Sequence, residues 1–463
     1  MAIWLSLMLA GAVGAGPWAE PEPPLGAERF GAGIQRTMTL LATSTPEHRN
    51  TVRVLFYGQS ITEQPWTKEV ARWLRATYPN ANLIIENRAI GGFASQLLVK
   101  TAESDLYPFE PDLVIFYVYG SHIEYENIIR RIRERTTAEI LMQTDHCTVE
   151  ADLTEETDPA RLSPKQWSAW MNHCFLPATA RKYGAELCDQ RAEWKRYLTA
   201  QKLAPRDLLI DGVHLNDRGC FLMAELVKPH LRYLPGEPTT AWQSLTRTVS
   251  VGQDARFEQG RLRLEFDGSR VDLIARPGAA PAGSLSYTID GQPPTAIREL
   301  YAATRASAYP GLPWPVVMRV GWTQVPVPET WTVRLIEPSD DLKSFRFAVT
   351  GSVTGADGEG SSAERFVSRS GRVVIEPDDW SLARSREFTK KPLGDAPLTW
   401  TIVPRFVDRW RAPANQDPTL EPATTLFSGL KNGHHTLELI ADGDVSGLAA
   451  IRIHRPPFGD SER

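Results

Sequence analysis

A serine hydroxyl becomes a useful nucleophile only when a histidine takes its proton, and the histidine in turn needs a carboxylate to orient it. This sequence offers all three residue types in a workable pattern. Val52-Arg53-Val54-Leu55-Phe56-Tyr57-Gly58-Gln59-Ser60-Ile61-Thr62 is an apolar run that breaks at a glycine and presents Ser60. Much later, Asp211-Gly212-Val213-His214 places an acid and a histidine three positions apart. A second acid and histidine, Asp145-His146, follow another apolar run and are expected to line a substrate cleft together with Gln59.

The surrounding periodicity says how these residues are held. Residues 52–57, 82–86, 112–119 and 139–143 are short apolar runs suited to buried parallel strands. Between and after them, 67–78, 94–104, 125–135, 163–183 and 218–231 carry helical spacing. Alternating strands and helices predict an α/β domain, an open parallel sheet covered on both faces, over 30–238. Ligands of such sheets bind beyond the carboxyl ends of the strands, where Ser60 and Gly120-Ser121-His122 both fall. From 240 the helical spacing stops. Residues 261–274 read as two strands around an Asp267-Gly268 hairpin, and 284–289 runs into Asp290-Gly291. Residues 426–440 and 448–454 are further strands, with Asn432-Gly433 at a turn. A Trp-, Pro- and Arg-rich stretch at about 301–423 interrupts them, with strands expected at 343–350, 372–375 and 399–403 and a Gly-rich acidic turn at 350–360 that lacks EF-hand spacing. The 240–463 region is thus expected to be an all-β sandwich carrying a β-rich insertion.

The bulk numbers narrow the function. A chain of 463 residues with net charge −5 lacks the basic excess of a nucleic-acid binder, and no apolar run is long enough to span a membrane. Residues 1–25 comprise a short apolar stretch ending in small residues, then a Pro-rich lead. They resemble a secretory signal peptide without its basic start, which predicts a secreted or periplasmic protein. Export would permit disulfides among Cys147, Cys174, Cys188 and Cys220, in any of three pairings; buried free thiols are the alternative. The sequence leaves the oligomeric state open.

Three blocks in order resemble those of the SGNH (GDSL-type) hydrolases. They are Gly58-Gln59-Ser60-Ile61-Thr62, Asn87-Arg88-Ala89-Ile90-Gly91-Gly92 and Asp211-Gly212-Val213-His214. The resemblance implies a three-layer, flavodoxin-like fold and a metal- and cofactor-independent esterase. In it Ser60 attacks, His214 is general base and then acid, Asp211 orients His214, and the Ser60 and Gly92 backbone N–H groups stabilise the oxyanion. Gln59 replaces the family's usual aspartate beside the nucleophile. The family's third block normally supplies an asparagine as a further oxyanion donor; here Ser121 or His122 stands in its place, with His122 favoured for its reach. The β region, through its strand-Asp-Gly signals and the segment 427–437, resembles, more loosely, the jelly-roll modules of carbohydrate esterases; of Trp314, Trp322, Trp331, Trp380, Trp400 and Trp410, most are expected in the core and one or two as a sugar platform. The expected activity is removal of acyl groups, acetyl first, from an acylated poly- or oligosaccharide. The alternatives are an esterase or lipase acting on non-carbohydrate esters, and a carbohydrate-binding protein whose hydrolase domain is degenerate.

Overall fold

A computed structural model describes residues 17–24, 26–237, 245–278, 283–394, 396–413 and 417–459. Most of the expected signal segment therefore lies outside the described residues. The first part of the chain builds strands β1 (Thr51–Gly58), β2 (Asn82–Asn87), β3 (Leu113–Tyr117), β4 (Glu139–Gln143) and β5 (Glu186–Cys188). They form one parallel sheet in the order β2-β1-β3-β4-β5, the flavodoxin-like doubly wound order. The helices are α1 (Gln35–Ala42), α2 (Ser60–Glu63), α3 (Trp66–Thr77), α4 (Ser95–Asp105), α5 (His122–Arg135), α6 (Trp167–Trp170), α7 (Leu176–Tyr183), α8 (Gln190–Gln201) and α9 (Asp217–Val227).

Alternation along the strands fills two cores. Val52, Val54, Phe56, Leu113, Ile115 and Leu141 face α1, α3, α8 and α9. Leu55, Tyr57, Val114, Phe116, Ile140 and Met142 face α4, α5 and α7. Burial on both faces is why these strands read as unbroken apolar runs. The single helix expected over 163–183 is instead broken: α6 and α7 are joined by a π-helical turn, Met171–Phe175. Pro177, at the start of α7, has no N–H to give to the preceding turn, and the wider turn accommodates that loss.

The second part is antiparallel β throughout. β6 (Thr246–Ser250), β7 (Arg261–Ala275), β8 (Ser284–Ile289), β16 (Arg409–Arg411), β17 (Ala423–Asp442) and β18 (Leu448–His454) make a six-stranded sheet in the order β16-β8-β17-β7-β18-β6. Between β8 and β16 come β9 (Tyr301–Ala303), β10 (Glu329–Ile336), β11 (Arg346–Gly351), β12 (Gly355–Ser361), β13 (Phe366–Val367), β14 (Val374–Ile375), helix α10 (Leu382–Thr389) and β15 (Leu398–Pro404). Their main sheet, β12-β11-β10-β15-β9, has its own core around Trp331, Phe347, Val349, Trp400 and Ile402. The six-stranded sheet packs separately around Phe266, Leu273, Tyr287, Phe427 and Leu437.

Several local expectations are corrected. Asp267-Gly268 is no hairpin: β7 runs straight through it, with Gly268 paired to Gly433 of β17, so Asn432-Gly433 lies within a strand too. Pairing along the length of β17, with bulges taking up the irregularities, outweighs the turn preference of these dipeptides. Asp290-Gly291 does turn, at φ 51° and 78°. The Gly-rich acidic segment does turn, at Ser352–Thr354, and then continues as β12, where Asp357 is buried and accepts from the Ser370 N–H and hydroxyl. Arg409–Arg411, placed by sequence in the insertion, pairs with β8 of the outer sheet. All four cysteines are free thiols, Cys147, Cys188 and Cys220 buried.

Polar contacts join the two parts. Glu110, on the loop before β3, accepts from Arg405 at 2.8 Å and pairs with Arg270 at 2.9 Å. Arg305 pairs with Asp105, and Lys100 with Asp378 and Asp379. Trp314 of the inserted unit joins the α4/α5 core.

Candidate active site

Gly58 ends β1 where no side chain fits: a Cβ there would stand 2.0 Å from the Tyr117 carbonyl oxygen and 2.3 Å from Thr62 Oγ1. The chain turns, and Ser60 becomes the first residue of α2. Three bonds fix that turn. Thr62 Oγ1 donates to the Tyr117 carbonyl, Trp66 Nε1 to that of Ile61, and Asn87 Nδ2 to that of Thr62.

His214 arrives on the loop before α9. Its Nε2 lies 2.9 Å from Ser60 Oγ, and its Nδ1 lies 2.8 Å from Asp211 Oδ2. The other Asp211 oxygen accepts the Val213 and His214 backbone N–H groups, each at 2.7 Å. These bonds, the His214 N–H first, hold the Asp211 carboxyl down at about 2 although it is exposed. An ionised Asp211 accepts the Nδ1 proton, which leaves the Nε2 lone pair facing the Ser60 hydroxyl.

Two partners set the height of this loop: Gln64, which sequence reasoning missed, and His146, which it assigned elsewhere. Gln64, four residues past Ser60, donates from Nε2 to the Leu215 carbonyl at 2.8 Å and accepts the Leu215 N–H at 3.0 Å. His146 Nε2 donates to the Val213 carbonyl at 2.9 Å, so its Nδ1 is an acceptor and takes the Tyr117 hydroxyl at 2.8 Å. Burial pushes the His146 pKa down to about 4. His146 was expected to line a substrate cleft; with both ring nitrogens engaged and 3% exposure it is instead a strut under the His214 loop. Its neighbour Asp145 is half-buried, with its N–H given to Asn172 Oδ1 and its carboxyl raised by burial to about 6. Gln59 is half-buried beside Ser60.

Gly92 sits at φ 78° on the loop after β2. Among the described residues, no protein acceptor takes the Ser60 or the Gly92 N–H. The two candidates for a third donor make other contacts. Ser121 is the N-cap of α5, its hydroxyl accepting the Glu124 N–H. The His122 ring packs edge-on against Trp167, Trp170 and Phe175, with centroids 5.3, 5.3 and 5.4 Å away. An amide does stand near the position left by the family's asparagine: Gln96 Oε1 accepts the Ser121 N–H at 3.2 Å.

Exposed apolar side chains stand at this end of the sheet. Tyr119, Val149, Ile210 and Val213, on loops at the carboxyl ends of the strands or beside His214, and Ile123, in the first turn of α5, are each at least half exposed. Trp167 and Trp170 are half-buried next to them. The tryptophans of the β region are not comparable. Trp314, Trp331, Trp400 and Trp410 are buried core residues, and Trp322 and Trp380 are half-buried. Among the described residues, no group of three or more His, Cys, Asp or Glu side chains could hold a metal ion, and no helix is long and apolar enough to cross a membrane.

No protein-family model matches the sequence, and no curated protein matches it. Solved structures are similar at low identity. A two-domain esterase active on acetylated mannans, co-crystallised with mannopentaose, is 14% identical over 95% of this chain and 99% of its own, with a TM-score of 0.35. An acetylxylan esterase from Geobacillus stearothermophilus is 19% identical over 41% of this chain and 97% of its own, TM-score 0.33. An alpha/beta hydrolase from the metagenome of Lake Arreo, Spain, is 17% identical over 40% and 98%, TM-score 0.33.

Proposed function

We propose that the protein is a serine esterase of the SGNH type that removes short acyl groups, acetyl first, from an acylated carbohydrate. One observation carries the reading: a continuous chain of hydrogen bonds from Ser60 Oγ through His214 to Asp211, at the carboxyl end of the sheet. His214 Nε2 takes the Ser60 proton as Oγ attacks the ester carbonyl, and the carbonyl π electrons move to oxygen. Asp211 stabilises the imidazolium. The Ser60 and Gly92 N–H groups receive the oxyanion. Collapse of the intermediate breaks the C–O bond, and His214 returns its proton to the departing sugar hydroxyl. Water, activated by His214 in its turn, then attacks the acyl-serine and releases the carboxylic acid.

The exposed apolar and aromatic side chains at this end of the sheet support a small acyl group and the flat face of a pyranose, which stacks on aromatic carbon. Export, expected from the N-terminal apolar run, would bring the enzyme to such polymers. The test is hydrolysis of p-nitrophenyl esters of increasing chain length, then acetate release from acetylated mannan and xylan, by wild type and Ser60→Ala. Acetate release abolished in the variant is the expected result. Turnover confined to long-chain esters would favour a lipase. Polysaccharide binding with no turnover would mark a degenerate hydrolase domain.

A further inference from the structure

We propose that Trp314 and Arg384, contributed by the inserted β unit, are positioning residues that hold the Gly91–Gly92 peptide in the orientation that aims the Gly92 N–H at the oxyanion. This rests on the esterase reading above. The Trp314 indole Nε1 donates to the Gly91 carbonyl oxygen at 2.6 Å. Gly91 C=O and Gly92 N–H belong to one planar trans peptide and point in opposite directions. Pinning the carbonyl to the indole therefore directs the N–H away from the inserted unit.

The neighbouring groups are fixed in the same sense. Arg384 Nη2 donates to the Gly92 carbonyl at 3.0 Å, and its guanidinium lies over the Trp314 ring, 5.4 Å from the centroid. The Gly91 N–H goes to Glu63 Oε1 at 2.8 Å, on the helix that Ser60 begins. The Phe93 N–H goes to the Ile90 carbonyl. Trp314 itself is 2% exposed, wedged between Phe93 and Phe388, and its ring occupies the space a Cβ on Gly92 would need, 2.5 Å away. The need for an anchor follows from the sequence. Two consecutive glycines can rotate their shared peptide at little steric cost, and a flip would present a carbonyl oxygen where the oxyanion requires a donor. The hydrolase domain thus leaves its donor loop loose, and a residue more than two hundred positions downstream tightens it.

Trp314→Phe keeps an aromatic ring in the core but removes the indole N–H together with the second ring; Arg384→Gln leaves the whole indole in place and removes the cation. Both are compared with wild type on p-nitrophenyl acetate, with KM and kcat separated, alongside the affinity of a boronic acid that forms a tetrahedral adduct with the serine. The expected result is a fall in kcat of about 30- to 100-fold for Trp314→Phe and a smaller fall for Arg384→Gln. KM should stay unchanged, and boronate affinity should fall in proportion. A merely structural role would lower thermal stability or active fraction without this kcat-specific loss. Should Trp314→Phe fail to fold, Arg384→Gln decides. Wild-type kcat and boronate affinity in the folded variants overturn the proposal. Wild-type turnover that is absent, or indifferent to Ser60→Ala, would instead sink the esterase reading beneath it.

Discussion

Asp211 illustrates how much of the site depends on which atom carries a proton. Its Oδ1 secures the loop through two backbone N–H groups while Oδ2 orients His214. In Asp211→Asn the amide oxygen still accepts the backbone bonds, but the amide nitrogen meets His214 Nδ1 with hydrogens. That favours the tautomer whose proton sits on Nε2, facing Ser60. Steady-state kinetics should show kcat/KM lower by on the order of 10⁴-fold, with the unfolding midpoint little changed. His122 makes the opposite prediction. Its ring belongs to an aromatic cluster, so His122→Ala should cost about 1 kcal/mol of stability and leave kcat within about threefold of wild type; a fall of about 100-fold would place the ring at the oxyanion after all. Ser60, Asp211 and His214 were legible in the sequence because their chemistry lies in their side-chain types. The parts played by Gln64, His146 and Trp314 were not, although the sequence singles out His146 and Trp314 for other roles: each acts on a backbone carbonyl, and a carbonyl leaves no mark on residue type.

At the scale of elements, β3, β4 and the His214 loop are joined through Tyr117, His146 and Val213, and this junction titrates. His146 has its pKa lowered to about 4 from 6.5. The unfolded chain therefore binds more protons between those values, and the His146 contribution is lost as pH falls from about 6.5 to 4. Asp145 has its pKa raised from 3.8 to about 6, so its contribution runs the other way and weakens as pH rises through that window. The two oppose each other in the wild type. Asp145→Asn removes the second alone. Urea unfolding of that variant at pH 6.5 and pH 4 should show a loss of roughly 3 kcal/mol on acidification, against a much smaller change in wild type; equal slopes would refute the burial of His146 as a neutral strut. The same elements show what periodicity can carry. β1, β3 and β4 are buried on both faces and stand out as apolar runs. β5 has only three residues, too few to show a pattern. Asp267-Gly268 misled because a local turn preference was overruled by a partner strand far away in sequence.

For the whole molecule, the joint between the α/β part and the β part is ionic and partly buried, centred on Glu110 between Arg270 and Arg405. Glu110→Ala would leave the half-buried Arg405 without a carboxylate, while Arg270 keeps its bidentate pair with Asp272, a loss of about 3 kcal/mol when a buried pair is broken. Thermal unfolding should separate into two transitions or shift markedly downward, whereas a surface pair such as Arg72–Glu69 should be removable with a change of well under 1 kcal/mol. The inserted unit leaves and rejoins the outer sheet through β9 and β15, which pair with each other, while β7 must wait for β17 to complete its sheet. This connectivity has a consequence for a chain growing on the ribosome. The proposed nucleophile, base and acid are all present once His214 has emerged and α9 has folded. The indole that steadies the Gly91–Gly92 peptide follows a hundred residues later, and the guanidinium over it later still. On the esterase reading, a chain made only this far would be a sluggish catalyst, reaching full rate once the inserted unit has docked.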